Sequence, residues 1–99
     1  MMDEFNQFTG FEWDEGNINK NLHTHQVENW ECEQIFFNES LIILDDPKHS
    51  CAEMRWAAFG KTDAGRRLTV IFTKRDNLII VISARNMSRK ERTFYEKNG

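Results

Sequence analysis

Three side chains could together move a proton and hold a phosphate group: His25, Arg55 and Arg85. An imidazole transfers protons well near neutral pH. A guanidinium presents paired donors that match two phosphate oxygens and stabilise charge developing there. The two arginines stand in or at the end of predicted strands, and the histidine ends a predicted helix. If these elements are neighbours, the three side chains could converge on one phosphate, and the spacing therefore predicts a phosphate clamp.

Ordinary structural roles for the same residues stay open. His25 could instead cap a helix end or be a hydrogen-bonded core residue. Strand arginines are most often solvated. Glu53 could orient Arg55 or be a plain exposed acid at a strand edge. His23 and His49 have weaker cases than His25, and three scattered histidines provide no metal site.

A second set of cations is suited to contacting a nucleic-acid backbone rather than to chemistry. Four of them stand at predicted hairpin turns, and two share a face of a predicted C-terminal helix, where a solvated face explains them equally well. Tyr95 either packs this helix against the sheet or stacks on a base. The predicted backbone contacts are Arg66, Arg67, Lys74, Arg75, Arg89 and Arg92.

Short apolar segments separated by turn residues define the elements that must position these side chains. Phe8 to Trp13 predicts a first short strand, and Ser88 to Glu91 is a capping box that begins the last helix. The predicted helices cover Glu15 to His25, Glu28 to Phe37 and Ser88 to about Lys97. The later predicted strands are Leu41–Leu44, Met54–Phe59, Arg67–Thr73 and Leu78–Ala84, with a turn at Lys74–Asn77.

The order of these elements predicts an α+β fold, with two N-terminal helices and one short C-terminal helix packed against an antiparallel meander. The nearly continuous apolar run Leu78–Ala84 predicts a central strand. The length is that of a single domain, residues 1–99, in which residues 1–7 are a loose lead-in.

The charge of the chain is divided unevenly along its length. The net charge is −3, but residues 1–54 carry twelve acidic and two basic residues, whereas residues 55–99 carry eleven basic and four acidic ones. All seven arginines lie in residues 55–99. Net acidity argues against binding of a phosphate backbone, yet the asymmetry indicates a polyanion or acidic partner for one face.

The apolar runs are too short to cross a membrane, and the acidic start of the chain is not a secretion signal. Two cysteines, Cys32 and Cys51, without metal-ligand spacing are expected to be free thiols in a reducing compartment. We therefore expect a cytoplasmic protein that has no contact with a membrane.

Several motifs along the chain resemble those of one family. Phe11–Glu15 precedes a helix, and Asn21-Leu22 is followed by His25 and Val27. The other matching segments are Asp45–Pro47 with His49-Ser50, Glu53 and Arg55 leading to Gly60, Val81–Arg85, Ser88–Arg92 and Tyr95-Glu96. Taken together, they are similar to the BrnT toxin family, over about Phe11 to Glu96, and Val81–Arg85 with the basic helix after it is the most specific part.

The resemblance implies a ribonuclease toxin of a type II toxin–antitoxin system, with a fold similar to the RelE toxins. Such toxins cleave RNA without a metal or other cofactor and inhibit translation. Metal-independent cleavage by the 2′-hydroxyl needs proton transfer, for which the resemblance implies His25, and stabilisation of a phosphorane, for which Arg55 and Arg85 are suited.

The resemblance also implies a partner. A cognate, BrnA-like antitoxin with a DNA-binding segment would neutralise the toxin, and operator DNA would be bound only indirectly, through that antitoxin. Three positions depart from the family pattern, since Asn17, Thr24 and Ile80 stand where basic residues are usual. They motivate a second hypothesis, in which the chain is a catalytically weakened or inactive relative that acts mainly as an antitoxin-binding partner and co-repressor.

Overall fold

A computed structural model of the chain describes residues 10–13, 25–46 and 53–98. Within these residues it contains five strands and two helices. The strands are β1 (Gly10–Phe11), β2 (Ile42–Asp45), β3 (Trp56–Lys61), β4 (Arg67–Arg75) and β5 (Leu78–Asn86), and the helices are α1 (Asn29–Phe37) and α2 (Arg89–Asn98).

The strands form one mixed sheet in the order β1-β5-β4-β3-β2. The strands β2 to β5 follow one another as an antiparallel meander, as the sequence predicts. The prediction of a wholly antiparallel sheet is wrong, because β1 pairs with β5 in parallel through Gly10 and Phe11. The apolar segment Leu78–Ala84 lies in β5, between β1 and β4, although the two-residue β1 covers only the beginning of β5. The middle strand of the five is β4.

The turns follow from residues that tolerate left-handed backbone. Asp76 and Asn77 have φ of 51° and 68°. Two such residues in a row give the two-residue hairpin turn whose twist matches antiparallel strands. The predicted turn at Lys74–Asn77 is therefore too long, since Lys74 and Arg75 still pair within β4.

The apolar core lies between the sheet and α1. Its buried side chains include Ile35 and Phe36 of α1, packed against Val70 and Phe72 of β4. Helix and sheet approach closely at Gly60, where an added Cβ would lie 2.8 Å from the Cβ of Ile35. The helix sits over β3 and β4 because its buried residues, Cys32, Ile35 and Phe36, recur at the period of one helical face.

The described residues hold two helices, and not the three that the sequence pattern predicts. α1 and α2 agree with two of the predictions to within a residue or two at their ends. The third, Glu15 to His25, lies outside the described residues except for His25, which is helical. Gln26 follows with φ of 58°, the left-handed conformation that commonly ends a helix. The lead-in at residues 1–7 also lies outside the described residues.

Candidate functional site

Arg66 holds together the end of the sheet at which β3 ends and β4 begins. Its Nε donates to Asn86 Oδ1 at 2.8 Å, and its Nη1 donates to Glu31 Oε1 at 3.0 Å. Nη1 also donates to the carbonyl of Gln26 at 2.9 Å, and Nη2 to that of His25 at 3.3 Å. One guanidinium therefore ties the segment at His25 to α1 and to the end of β5.

The backbone of His25 is held by the hydrogen bond from Arg66 to its carbonyl, and the residue is exposed to solvent. An imidazole transfers protons, and one that is exposed on an anchored backbone is well suited to meet a substrate. The sequence predicts Arg66 as a backbone-contacting cation at a turn, but its guanidinium is engaged by protein groups from three segments. Its hydrogen bonds fix the backbone at His25 and Gln26.

Arg85 lies next to Asn86 near the end of β5, and its side chain leaves the strand on the opposite face from that of Asn86. It is paired with a carboxylate. Its Nη1 and Nη2 donate to Glu91 Oε1 and Oε2 at 2.7 and 2.8 Å, and Nη1 also donates to the Asn86 carbonyl at 3.2 Å. The hydrogen bonds to Glu91 raise the pKa of Arg85. The hydrogen bond from Arg85 is in turn the main reason why the pKa of Glu91 is lowered to about 2. Arg85 is thus fixed in place, with 38% of its side chain exposed.

Glu91 combines two structural tasks. It completes the predicted capping box of α2, because Ser88 N donates to its Oε1 at 2.8 Å and Glu91 N donates to Ser88 Oγ at 3.2 Å. The same Oε1 accepts from Thr69 Oγ1 at 3.0 Å. Thr69 is the cross-strand partner of Arg85, so the first turn of α2 is connected to β4 and β5 at the same point.

Arg55 stands just before β3 and is half-buried. The carbonyl of Arg55 accepts from Asp46 N at 3.0 Å, which extends the pairing of β2 and β3 by one bond. Glu53 lies near enough to Arg55 for the two charges to interact, but its carboxylate is hydrogen-bonded to Arg75, at 2.8 and 3.2 Å. Arg75 is also the main cause of the lowered pKa of Glu53.

The register separates Arg55 from Arg85. Phe59, Thr69 and Arg85 form one row across β3, β4 and β5, and Arg55 lies four residues before Phe59. With a rise of about 3.4 Å per residue and a strand spacing of about 4.8 Å, the two Cα atoms are about 17 Å apart. This spacing favours contacts with different phosphates of one strand over the single-phosphate clamp that the sequence predicts.

The remaining predicted backbone contacts lie at the two ends of β4 and on α2. Arg67 Nε lies 2.6 Å from Glu96 Oε2 of α2. Lys74 is half-buried within β4, and Arg75 is exposed at its end. Arg89 and Arg92 are exposed on α2, where Arg92 Nη1 also donates to the carbonyl of Met87 at 3.2 Å.

Ion pairs interleave the acidic and basic parts of the chain. Arg66 pairs with Glu31 and Arg75 with Glu53, so carboxylates of residues 1–54 neutralise cations of residues 55–99. At these two points, the uneven charge along the sequence does not become an uneven charge between two surfaces. Reasoning from sequence missed the pairing of Glu31 with Arg66, of Glu91 with Arg85 and of Glu96 with Arg67. Glu91 had a local signal, the capping box.

Three further residues are placed by burial. Tyr95 is 3% exposed and packs with Phe59 and Met87, which excludes stacking on a base. Burial raises the pKa of the Cys32 thiol to about 12, and this agrees with a packing role. Cys51, like His23 and His49, lies outside the described residues.

The candidate site combines an exposed imidazole, His25, with a fixed guanidinium, Arg85, at one end of a small α+β sheet. Both described helices are too short to cross a membrane. A family model described as the ribonuclease toxin BrnT of type II toxin–antitoxin systems matches residues 13–91. The chain belongs to this family of ribonuclease toxins. The matched segment includes His25, Arg55, Arg85 and Glu91. A search of curated proteins found no match.

Proposed function

We propose that this toxin cleaves RNA without a metal, by attack of the 2′-hydroxyl on the adjacent phosphate. His25 transfers the proton, and Arg85 stabilises the charge that develops on the phosphorane. The observation that carries the proposal is the position of His25, exposed and anchored through Arg66 to the same end of the sheet as Arg85.

The other cations hold the RNA strand. Arg55 contacts a phosphate further along the strand, because its Cα lies about 17 Å from that of Arg85. Arg67, Lys74, Arg75, Arg89 and Arg92 contribute sequence-independent contacts with phosphates, which strengthen binding and make it sensitive to salt. Arg66 contributes through the loop of His25 rather than by reaching the strand.

Membership in a type II system implies a protein antitoxin as partner. We further propose that the cognate antitoxin is BrnA-like, that it blocks RNA cleavage and the resulting inhibition of translation in the cytoplasm, and that it carries the operator-binding segment. Exposed apolar side chains support a protein interface on this chain. They are Trp30, Phe37, Leu44, Met54 and Phe94.

Purified protein incubated with an RNA transcript in the presence of a chelator tests the catalytic proposal. We expect cleavage by the wild type and a loss of about 100-fold or more for His25→Ala. A comparable loss is expected for Arg85→Ala. His49→Ala serves as a histidine control and should retain activity. Equal degradation by the wild type and by both variants would identify a contaminating nuclease and refute the proposal.

A second function is favoured by the neutralised cations. Arg66, Arg67, Arg75 and Arg85 are all paired with carboxylates, and the basic residues usual at positions 17, 24 and 80 are absent. Under this alternative the chain binds its antitoxin and acts as a co-repressor, with little cleavage of RNA. Expression of the gene alone in cells separates the two functions, because growth arrest relieved by the antitoxin would exclude the alternative.

A further inference from the structure

The guanidinium of Arg85 has a free edge. Of its five N–H groups, two on Nη1 and one on Nη2 donate to Glu91 and to the carbonyl of Asn86. Within the described part of the chain, no hydrogen bond uses its Nε–H or the second N–H of Nη2. These two donors lie side by side on one edge of the planar group, which is the spacing that binds two oxygens of a phosphate.

Glu91 determines which edge is free. Its carboxylate grips the other edge of Arg85 with both oxygens, so rotation of the guanidinium would break two charge-assisted hydrogen bonds. The carboxylate is itself held by Ser88 N and by Thr69 Oγ1. Its four hydrogen bonds come from three segments, namely β4, β5 and the first turn of α2.

From this geometry we infer that Glu91 is a positioning residue for RNA cleavage, which holds Arg85 so that its Nε–Nη2 edge faces the reacting phosphate. The inference rests on the proposed function of Arg85. It assigns to α2 a part in the site, because the residue that caps this helix also orients the guanidinium. A purely structural Glu91 would join α2 to the sheet and leave cleavage by the folded protein unaffected.

The variant Glu91→Gln separates orientation from folding. Glutamine also suits this position of a capping box, so the start of α2 is retained. The amide nitrogen of glutamine is a donor and would face the donors of Arg85, so the pair of hydrogen bonds from Arg85 to two oxygens is lost. We expect kcat for RNA cleavage, corrected for the folded fraction, to fall about 100-fold, as for a small misplacement of a reacting group. The matched control is Glu96→Gln, which breaks the Arg67 pair on the same helix and should keep the kcat of the wild type.

A second readout does not depend on cleavage. The Arg85 Nε–H signal can be followed by NMR in ¹⁵N-arginine-labelled protein and assigned from Arg85→Lys. Inorganic phosphate should shift this signal in the wild type and fail to shift it in Glu91→Gln. If Glu91→Gln does not fold, Thr69→Val removes one bond to Glu91 at nearly constant shape and should lower kcat several-fold.

The outcomes distinguish the inference from the proposed function. A wild type that does not cleave RNA refutes the proposed function, while the phosphate titration still tests how Glu91 orients Arg85. If the wild type cleaves RNA and Glu91→Gln equals it in kcat and in the response to phosphate, the positioning role of Glu91 is refuted and the proposed function is not.

Discussion

The two faces of the sheet bury different kinds of side chain. The face under α1 is apolar, and its buried residues include Ile35, Val70 and Phe72. The face under α2 has a smaller apolar cluster of Phe59, Met87 and Tyr95, beside which lies the ion pair of Arg85 with Glu91. Apolar burial supplies most of the free energy of folding, whereas a partly buried ion pair adds little net stability but fixes geometry. We therefore expect the first face to carry most of the stability and the second to fix Arg85, the proposed phosphate-binding residue.

The largest effect on stability is expected on the α1 face. Replacing Ile35 by Ala removes a fully buried side chain at the point where α1 meets Gly60. We expect the free energy of unfolding to fall by about 2–5 kcal/mol, measured by urea denaturation. Cleavage of RNA per folded molecule should be unchanged, because the hydrogen bonds that hold His25 and Arg85 come from Arg66 and Glu91 and not from Ile35.

Phe37→Ala is the matched control for Ile35→Ala, since Phe37 lies on the same helix and is 70% exposed. It should destabilise the protein much less. If Ile35→Ala abolished cleavage in protein shown to be folded, the expectation that the α1 face contributes mainly stability would be contradicted.

The next prediction compares two arginines that are both paired with a carboxylate. Arg66 bonds three segments, and the side chains of Arg66 and Glu31 are 28% and 12% exposed. Arg75 bonds Glu53 with 58% of its side chain exposed. Arg66→Ala should therefore lower the free energy of unfolding by about 2 kcal/mol, and Arg75→Ala by no more than about 1 kcal/mol.

The kinetic effects of the same two variants should also differ. Arg66→Ala removes the hydrogen bonds to the backbone at His25 and Gln26 and is expected to lower kcat. Arg75→Ala removes a proposed contact with phosphate and should raise only KM. Steady-state cleavage of a short RNA measures both constants. A fall in kcat for Arg75→Ala with no change for Arg66→Ala would show that the anchoring of His25 by Arg66 does not determine the rate of cleavage.

A third prediction concerns acid and is specific to the α2 face. In the folded protein the pKa of Glu91 is about 2, below its ordinary value of 4.5. Its ionisation therefore contributes stability that is fully present above pH 4.5 and is lost as the pH falls towards 2. The difference in unfolding free energy between the wild type and Glu91→Gln should be constant near neutral pH and should shrink over this range. A difference that stayed constant down to pH 2 would contradict the pairing.

These comparisons also show which features local sequence patterns can predict. The strands β2 to β5, α1 and the capping box of α2 follow from turn residues, apolar period and cap residues that are close in sequence. The parallel pairing of β1 does not, because its partner Leu78 is distant in sequence and a two-residue strand has little pattern of its own.

The candidate site divides in the same way. The residue types at His25, Arg55 and Arg85 indicate the chemistry, and their positions in the chain are visible from sequence. The partners are not, since Arg66 bonds a carbonyl 40 residues away and Thr69 bonds a carboxylate 22 residues away. Such contacts depend on the register of the sheet and on the docking of two helices, which no local pattern contains.

The smallest expected effect has the opposite sign to the others. Tyr95 is 3% exposed, and its hydroxyl is buried without a hydrogen-bond partner among the described residues. An unpaired buried hydroxyl costs free energy, so Tyr95→Phe should raise the free energy of unfolding by about 1 kcal/mol. Urea denaturation at neutral pH measures this, and kcat should not change, because Tyr95 is buried and is not part of the proposed site. A stabilised variant with full activity would show that the α2 face tolerates an imperfect core while its ion pair keeps the site in place. A loss of stability would instead indicate that the hydroxyl has a partner in the folded protein.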